Sequence, residues 1–109
     1  MSLELPDPLP AYFAAQNALD ADAMTACFAA DAEVHDEGGT YVGRDAIHGW
    51  KEDTIARYGI RIEPLEASDA GDKTMVTARV AGNFPGSPAN LTYSFGLSPD
   101  GLIQTLDIH

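Results

Sequence analysis

The sequence predicts an α+β fold, and three observations carry that prediction: a length suited to one domain, apolar residues at helical spacing before Ile60, and a period of two from there onward. The 109 residues are enough for one core and too few for two, so residues 1–109 read as a single domain. Within it, residues 1–7 read as a flexible or cloning-derived leader. The chain is 45% hydrophobic and 21% charged, which places it with folded globular chains and against disorder.

The elements follow in order. Leu9, Tyr12, Phe13, Gln16 and Leu19 form one stripe of a first helix, and Pro8 and Pro10 suit its start. Asp20 or Asp22 can cap a short second helix running through Met24, Cys27 and Phe28 to a turn at Ala30-Asp31. Glu33 to Asp36 reads as a brief strand, Glu37-Gly38-Gly39-Thr40 as a tight turn, and Tyr41-Val42 as the partner strand. Arg44 opens a third helix with Ile47, Trp50, Ile55 and Tyr58 on one face, Asp53 and Arg57 paired four apart, and Gly59 placed to end it. Arg61 to Ala67 is then a strand, Ser68 to Asp72 a turn, and Lys73 to Phe84 a long strand in which Val76, Ala78 and Val80 alternate with Met75, Thr77 and Arg79. Pro85-Gly86-Ser87-Pro88 breaks that strand. Leu91, Tyr93, Phe95 and Leu97 share a face of the next, and the hairpin turn Ser98-Pro99-Asp100-Gly101 leads into Leu102 to Ile108.

Charge and cysteine content narrow the function. Six basic residues against seventeen acidic ones give a net charge of −11, a field that repels nucleic acid and anionic membrane surfaces. No apolar run is long enough to span a membrane, no secretory signal is present, and the one cysteine, Cys27, rules out an internal disulfide; these features point to a cytoplasmic protein.

The run from Tyr12 to Ala23, the segment Phe28-Ala29-Ala30-Asp31-Ala32-Glu33-Val34-His35-Asp36, and Gly43-Arg44-Asp45-Ala46-Ile47 together resemble the nuclear transport factor 2-like superfamily, and within it the SnoaL-like and ketosteroid-isomerase-like branch. The resemblance implies a cone-shaped fold: three N-terminal helices packed on a strongly bent, mostly antiparallel sheet that encloses a pocket. It also implies a homodimer joined through the sheets, which the apolar face of Val76, Ala78 and Val80 would require on its own account. Members of this superfamily use the pocket for unlike ends, so the pocket residues have to decide the function.

By resemblance, Asp36 stands where isomerase-like members carry the carboxylate general base. On a mostly apolar wall its pKa would rise and it could shuttle a proton between two carbons of a carbonyl compound; the bland reading is a solvated acid beside a Gly-Gly turn. Tyr12 matches the phenol that donates to the developing oxyanion, and is otherwise a core aromatic. At the third position of the isomerase site, where the family carries a protonated acid, this chain has Tyr93. That departure argues against steroid isomerisation while leaving two phenolic donors.

The rest of the expected lining is Phe13, Trp50, Tyr58, Met75, Leu91 and Phe95, with His48 as one inward polar group; such a lining suits a small, flat hydrophobic molecule. Arg79 lacks the flanking acids of epoxide-opening relatives. His35-Asp36-Glu37 alternate faces of a strand and make no metal site, and no organic cofactor is implied. The first reading is therefore an isomerase, cyclase or dehydratase type of acid/base enzyme acting on an apolar carbonyl compound. The alternative is a non-catalytic ligand-binding or dimerisation domain of the same fold.

Overall fold

Leu9, Tyr12, Phe13 and Gln16 are all buried on one side of the first helix, as their spacing requires. The structure, a computed structural model, describes residues 5–36 and 38–109. Its elements are α1 (Leu9–Asn17), α2 (Ala21–Ala26), β1 (Phe28–Asp36), β2 (Gly39–Val42), α3 (Arg44–Tyr58), β3 (Arg61–Ala70), β4 (Lys73–Ala81), β5 (Ala89–Leu97) and β6 (Ile103–Ile108). The strands form one curled sheet in the order β2-β1-β6-β5-β4-β3, antiparallel throughout except where β1 runs parallel to β6. Three helices pack on it, giving the α+β cone. Of the leader expected at residues 1–7, residues 1–4 lie outside the described part, while Leu5 packs against the core. Glu37, expected in the turn before β2, also lies outside it.

Local signals explain most boundaries. The Asp20 carboxylate accepts from the backbone N–H of Ala23 at 3.0 Å and caps α2. Gly59 takes the left-handed conformation at φ 55° and ends α3, its N–H bonding the Ile55 carbonyl. Several boundaries differ from the sequence reading, β2 among them, which begins at Gly39 and not at Tyr41 because Gly39 and Thr40 pair with Asp36 and His35. Phe28 and the residues after it belong to β1, not to the second helix, because Phe28 pairs with Ile103 of β6 while its side chain fills the core. The third strand continues to Ala70, so the turn shortens to Gly71-Asp72. Strand β4 stops at Ala81, because Gly82 passes so close to the end of α3 that a Cβ there would lie 2.7 Å from the Tyr58 carbonyl oxygen.

Register settles which sheet face is inside. Val76 lies opposite Tyr93, Ala78 opposite Leu91, and Phe95 opposite Leu106, so these side chains share the concave face under the helices. Val76, Ala78 and Val80 are fully buried within the single chain. Their face is therefore not an open one in need of a partner, as the alternation alone suggests, but the inner wall of the cone. Met75, Thr77 and Arg79 face the other way. Above the inner wall the Tyr12 ring meets Phe13, Phe28 and Phe95 edge-on at 5.6, 5.7 and 5.8 Å.

One side chain fastens α1 to the open edge of the sheet. The Asn17 amide donates to the Ile62 carbonyl at 2.9 Å and accepts from the Ile62 N–H at 2.7 Å, imitating a neighbouring strand along β3. Replacing both bonds with nothing should cost about 1–3 kcal/mol. Asn17→Ala is therefore expected to lower the urea midpoint by that amount with an unchanged m-value; a shift within about 0.3 kcal/mol would show that Ile62 does not depend on the clamp.

Candidate functional site

Between the helices and the inner wall lies a cavity of about 330 Å³. Gln16 of α1, Asp36 of β1, and Trp50, Lys51, Thr54 and Tyr58 of α3 form its polar and aromatic side; Val80, Leu91, Tyr93 and Ile108 form its floor. The loop after β4 shapes the rest of the wall. The Asn83 N–H bonds the Tyr58 carbonyl at 2.8 Å, which carries Phe84 against the Tyr58 ring at 6.1 Å and brings Pro85 into the lining.

Asp36 is the last residue of β1, on the same face as the buried Val34. Its side chain is half-buried and its Oδ2 accepts a hydrogen bond from the Trp50 indole N–H at 3.2 Å. Trp50 is itself stacked on Tyr41 of β2, with centroids 5.5 Å apart, so the donor that orients the carboxylate is held from behind.

Lys51 is the group that the sequence reading missed. It lies 3% exposed in the stripe of α3 that also carries Ile47, Trp50 and Tyr58. Its Nζ donates to the Tyr12 hydroxyl at 2.5 Å and to Gln16 Oε1 at 3.1 Å, and sits 4.1 Å from the centroid of the Trp50 ring. The Gln16 amide nitrogen donates to the Ile60 carbonyl at 3.1 Å, which fixes the orientation that turns its oxygen toward the amine. Desolvation pulls the Lys51 pKa down to about 7, and the nearby Asp36 charge opposes that fall. Burial pushes Tyr12 well above the ordinary phenol range, with Tyr93, Asp36 and Cys27 adding to the rise. Tyr93 is also raised, by burial first and by the Asp36 charge second. Both phenols therefore keep their protons where Lys51 titrates. Two placements would have revealed Lys51 in the sequence: it lies one turn after Ile47 and two turns before Tyr58, and its partner Gln16 already stood in the apolar stripe of α1.

The other expected residues divide. Trp50, Tyr58, Leu91, Tyr93 and Asp36 line the cavity. Tyr12, Phe13 and Phe95 lie in the aromatic core beneath it, and Tyr12 reaches the cavity through Lys51. Met75 is on the outer face of β4, opposite Ser68 and Ser94. His48 is on the exterior of α3, where it contacts Asp22 at 2.6 Å and Glu52 at 3.2 Å. A histidine next to Ile47 on a helix is turned about 100° from it, and the α2 acid captures it on that side. His35 also faces out, held by Glu33 and Thr40.

The sequence model of the SnoaL-like domain matches residues 9–99. The chain belongs to the SnoaL-like domain family. Among solved structures, this SnoaL-like domain is 45% identical to a Sinorhizobium meliloti protein provisionally named as a polyketide cyclase, with a TM-score of 0.91 over 96% of this chain and 95% of that one. It is 26% identical to a Catenulispora acidiphila hypothetical protein with a ketosteroid isomerase-like fold, solved with trimethylamine, at a TM-score of 0.84 over 97% and 86% of the two chains. At 23% identity and a TM-score of 0.80 over 92% and 84%, it shares the fold of SalBIII, an epoxide hydrolase/cyclase-like enzyme of salinomycin pyran-ring formation. No curated protein matches the chain. None of the helices among the described residues is long and apolar enough to cross a membrane.

The buried lysine gives this SnoaL-like domain a measurable signature. An unfolded lysine holds its proton to about pH 10.4, whereas Lys51 in the fold releases it near 7. Between those values the unfolded chain binds more protons, so stability rises with pH across that window and is lowest, for this group, below it. Lys51→Met removes the effect, while the cost of depriving Tyr12 and Gln16 of their partner is the same at every pH because both stay neutral. The difference between wild type and Lys51→Met in urea should thus move in favour of wild type by about 2 kcal/mol or more from pH 6.5 to pH 9. A pH-independent difference would show that the amine is not desolvated.

Proposed function

We propose that this domain is an acid/base enzyme that moves a proton on a small, flat, apolar carbonyl compound, as an isomerase- or cyclase-type reaction requires. One observation carries the reading: a half-buried carboxylate, Asp36, oriented by the Trp50 indole, lines the same apolar cavity as an amine and a phenol. Asp36 takes the proton from the carbon beside the carbonyl. The negative charge that develops on the carbonyl oxygen is met by the Lys51 ammonium and the Tyr93 hydroxyl, groups whose contact strengthens as that charge grows. Tyr12 and Gln16 act through Lys51 as positioning residues. The cavity volume, near the lower end for ligand pockets, fits a small molecule. The name given to the Sinorhizobium relative, at 45% identity, supports cyclase-type chemistry.

The test is exchange. With 2-tetralone in D₂O the wild type should catalyse deuterium uptake at the α-carbon, and Asp36→Asn should slow it by about 10²-fold or more. The single tryptophan, Trp50, lines the cavity, so its fluorescence reports binding independently. Affinity should hold within about threefold in Asp36→Asn, which keeps an acceptor oxygen for the indole. Ligand binding by the wild type without exchange would make the domain a binding module.

A further inference from the structure

Lys51 is buried more deeply in the cavity wall than binding an oxyanion requires. Its amine is neither on the surface nor in an ion-pair network of the exterior; it sits between the face of Trp50 and the Gln16 amide, both of which line the cavity, and against the Tyr12 hydroxyl below. A cation wanted only for attraction would serve from the rim, at less desolvation cost.

We propose that Lys51 is a nucleophile toward carbonyl ligands of this cavity, condensing with an aldehyde to form an imine. The inference rests on the reading of the cavity as a carbonyl site. The Nζ lone pair attacks the carbonyl carbon, the C–N bond forms, and the π pair moves to oxygen, which takes the proton that the nitrogen gives up. The nitrogen of the resulting carbinolamine supplies the electron pair that expels the oxygen, protonated, as water. Amine, aldehyde and the one proton taken up by the departing hydroxyl thus give a protonated imine and water, with no change of oxidation state. Asp36 then removes the α-proton, and the electron pair flows into the C=N bond to give an enamine, a better sink than the carbonyl itself.

The surroundings fit each stage. The apolar walls disfavour charge on the free amine, so a large part of it is neutral near pH 7, whereas an ordinary lysine is neutral in only about one molecule in 2,500. A less basic amine is also a weaker nucleophile; a dependence like that measured for thiols returns about 30-fold of that gain, and tens-fold remains. Tyr12, Tyr93 and Asp36 are the titratable groups that act on the site from α1, β5 and β1. Tyr93 stays protonated in the cavity wall, and its hydroxyl can donate a hydrogen bond to the carbinolamine oxygen. The face of Trp50, 4.1 Å from Nζ, favours the cationic imine once it forms.

The chain carries its own control. It has two lysines, and the second, Lys73, is on the outer sheet face, bonded to Thr105 at 2.9 Å. Wild-type protein is treated with phenylacetaldehyde and cyanoborohydride at pH 7, and the modified residues are mapped by peptide mass spectrometry. Lys51 should gain the mass of the aldehyde less one oxygen roughly tenfold or more faster than Lys73, with the preference shrinking as pH approaches 10. Equal labelling of the two lysines, or labelling of Lys73 alone, overturns the proposal. Asp36→Asn should still label at Lys51, and Lys51→Arg, which keeps a buried cation and reports its own folding through Trp50 fluorescence, should not. The 2-tetralone exchange separates the two readings: exchange without Lys51 labelling removes the nucleophile and leaves the base, and labelling without exchange does the reverse.

Discussion

A lysine ammonium taken out of water costs several kcal/mol unless its surroundings replace the lost hydration, and much of this structure is arranged around that constraint. Lys51 of α3 reaches toward α1, where Tyr12 and Gln16 accept its hydrogen bonds, so the two helices are held by a polar contact as well as by apolar packing. Gln16 can face the amine only because Ile60, just past the glycine that ends α3, takes its amide nitrogen. Tyr12 can do so only because three aromatic rings fix its own ring below the cavity. The amine thus ties together the end of α3, the stripe of α1 and the aromatic core, and it does so at the wall of the cavity.

The sheet supplies the opposite wall by register alone. Because opposed residues share a face, the pairings of Val76 with Tyr93 and of Phe95 with Leu106 bring residues from three strands to one concave surface. The parallel pairing of β1 with β6 sets Val34 beside Leu106, and Asp36 two residues further on follows to the cavity beside Ile108. The carboxylate is therefore placed by long-range pairing, and only its orientation is local, through Trp50.

That division explains what could be read from the chain. The caps at Asp20 and Gly59, the turn at Ser98 to Gly101 and the alternation along β4 and β5 depend on neighbours in sequence, and each marks an element in the right place. Phe28 continues a helical spacing from Met24, so nothing local separates helix from strand there; the pairing with Ile103 decides it. Alternation groups Val76 with Ala78 and Val80 but does not say whether helices or solvent cover them. Phe84 reads as the end of a strand and Pro85 as the start of its break, and their role as cavity wall comes from the contact of Gly82 and Asn83 with the end of α3. At the site, Trp50, Tyr58 and Tyr93 were legible from pattern, whereas Phe13 and Phe95 share that pattern and lie in the core beneath the cavity. Lys51 was not legible, since a lysine on a helix is nearly always solvated and its charge conceals its place in the stripe.

Sequence rules broken without structural need are where function is to be sought. A methionine at position 51 would fill similar space with no desolvation cost, yet one of only two lysines in a strongly acidic chain is spent here. What it adds is an ordering of proton affinities. The Asp36 charge raises the proton affinity of Lys51, Tyr12 and Tyr93 alike, while burial lowers that of the amine and raises that of both phenols. The same wall therefore pushes the groups apart: near neutrality the amine exchanges its proton while the phenols hold theirs. The cavity wall thus holds the Tyr93 hydroxyl beside an amine that changes charge, together with the Asp36 carboxylate. A phenol donor, an amine that changes charge and a carboxylate within one apolar cavity are the parts that the proposed carbonyl chemistry needs, and apolar packing alone would have produced none of that separation.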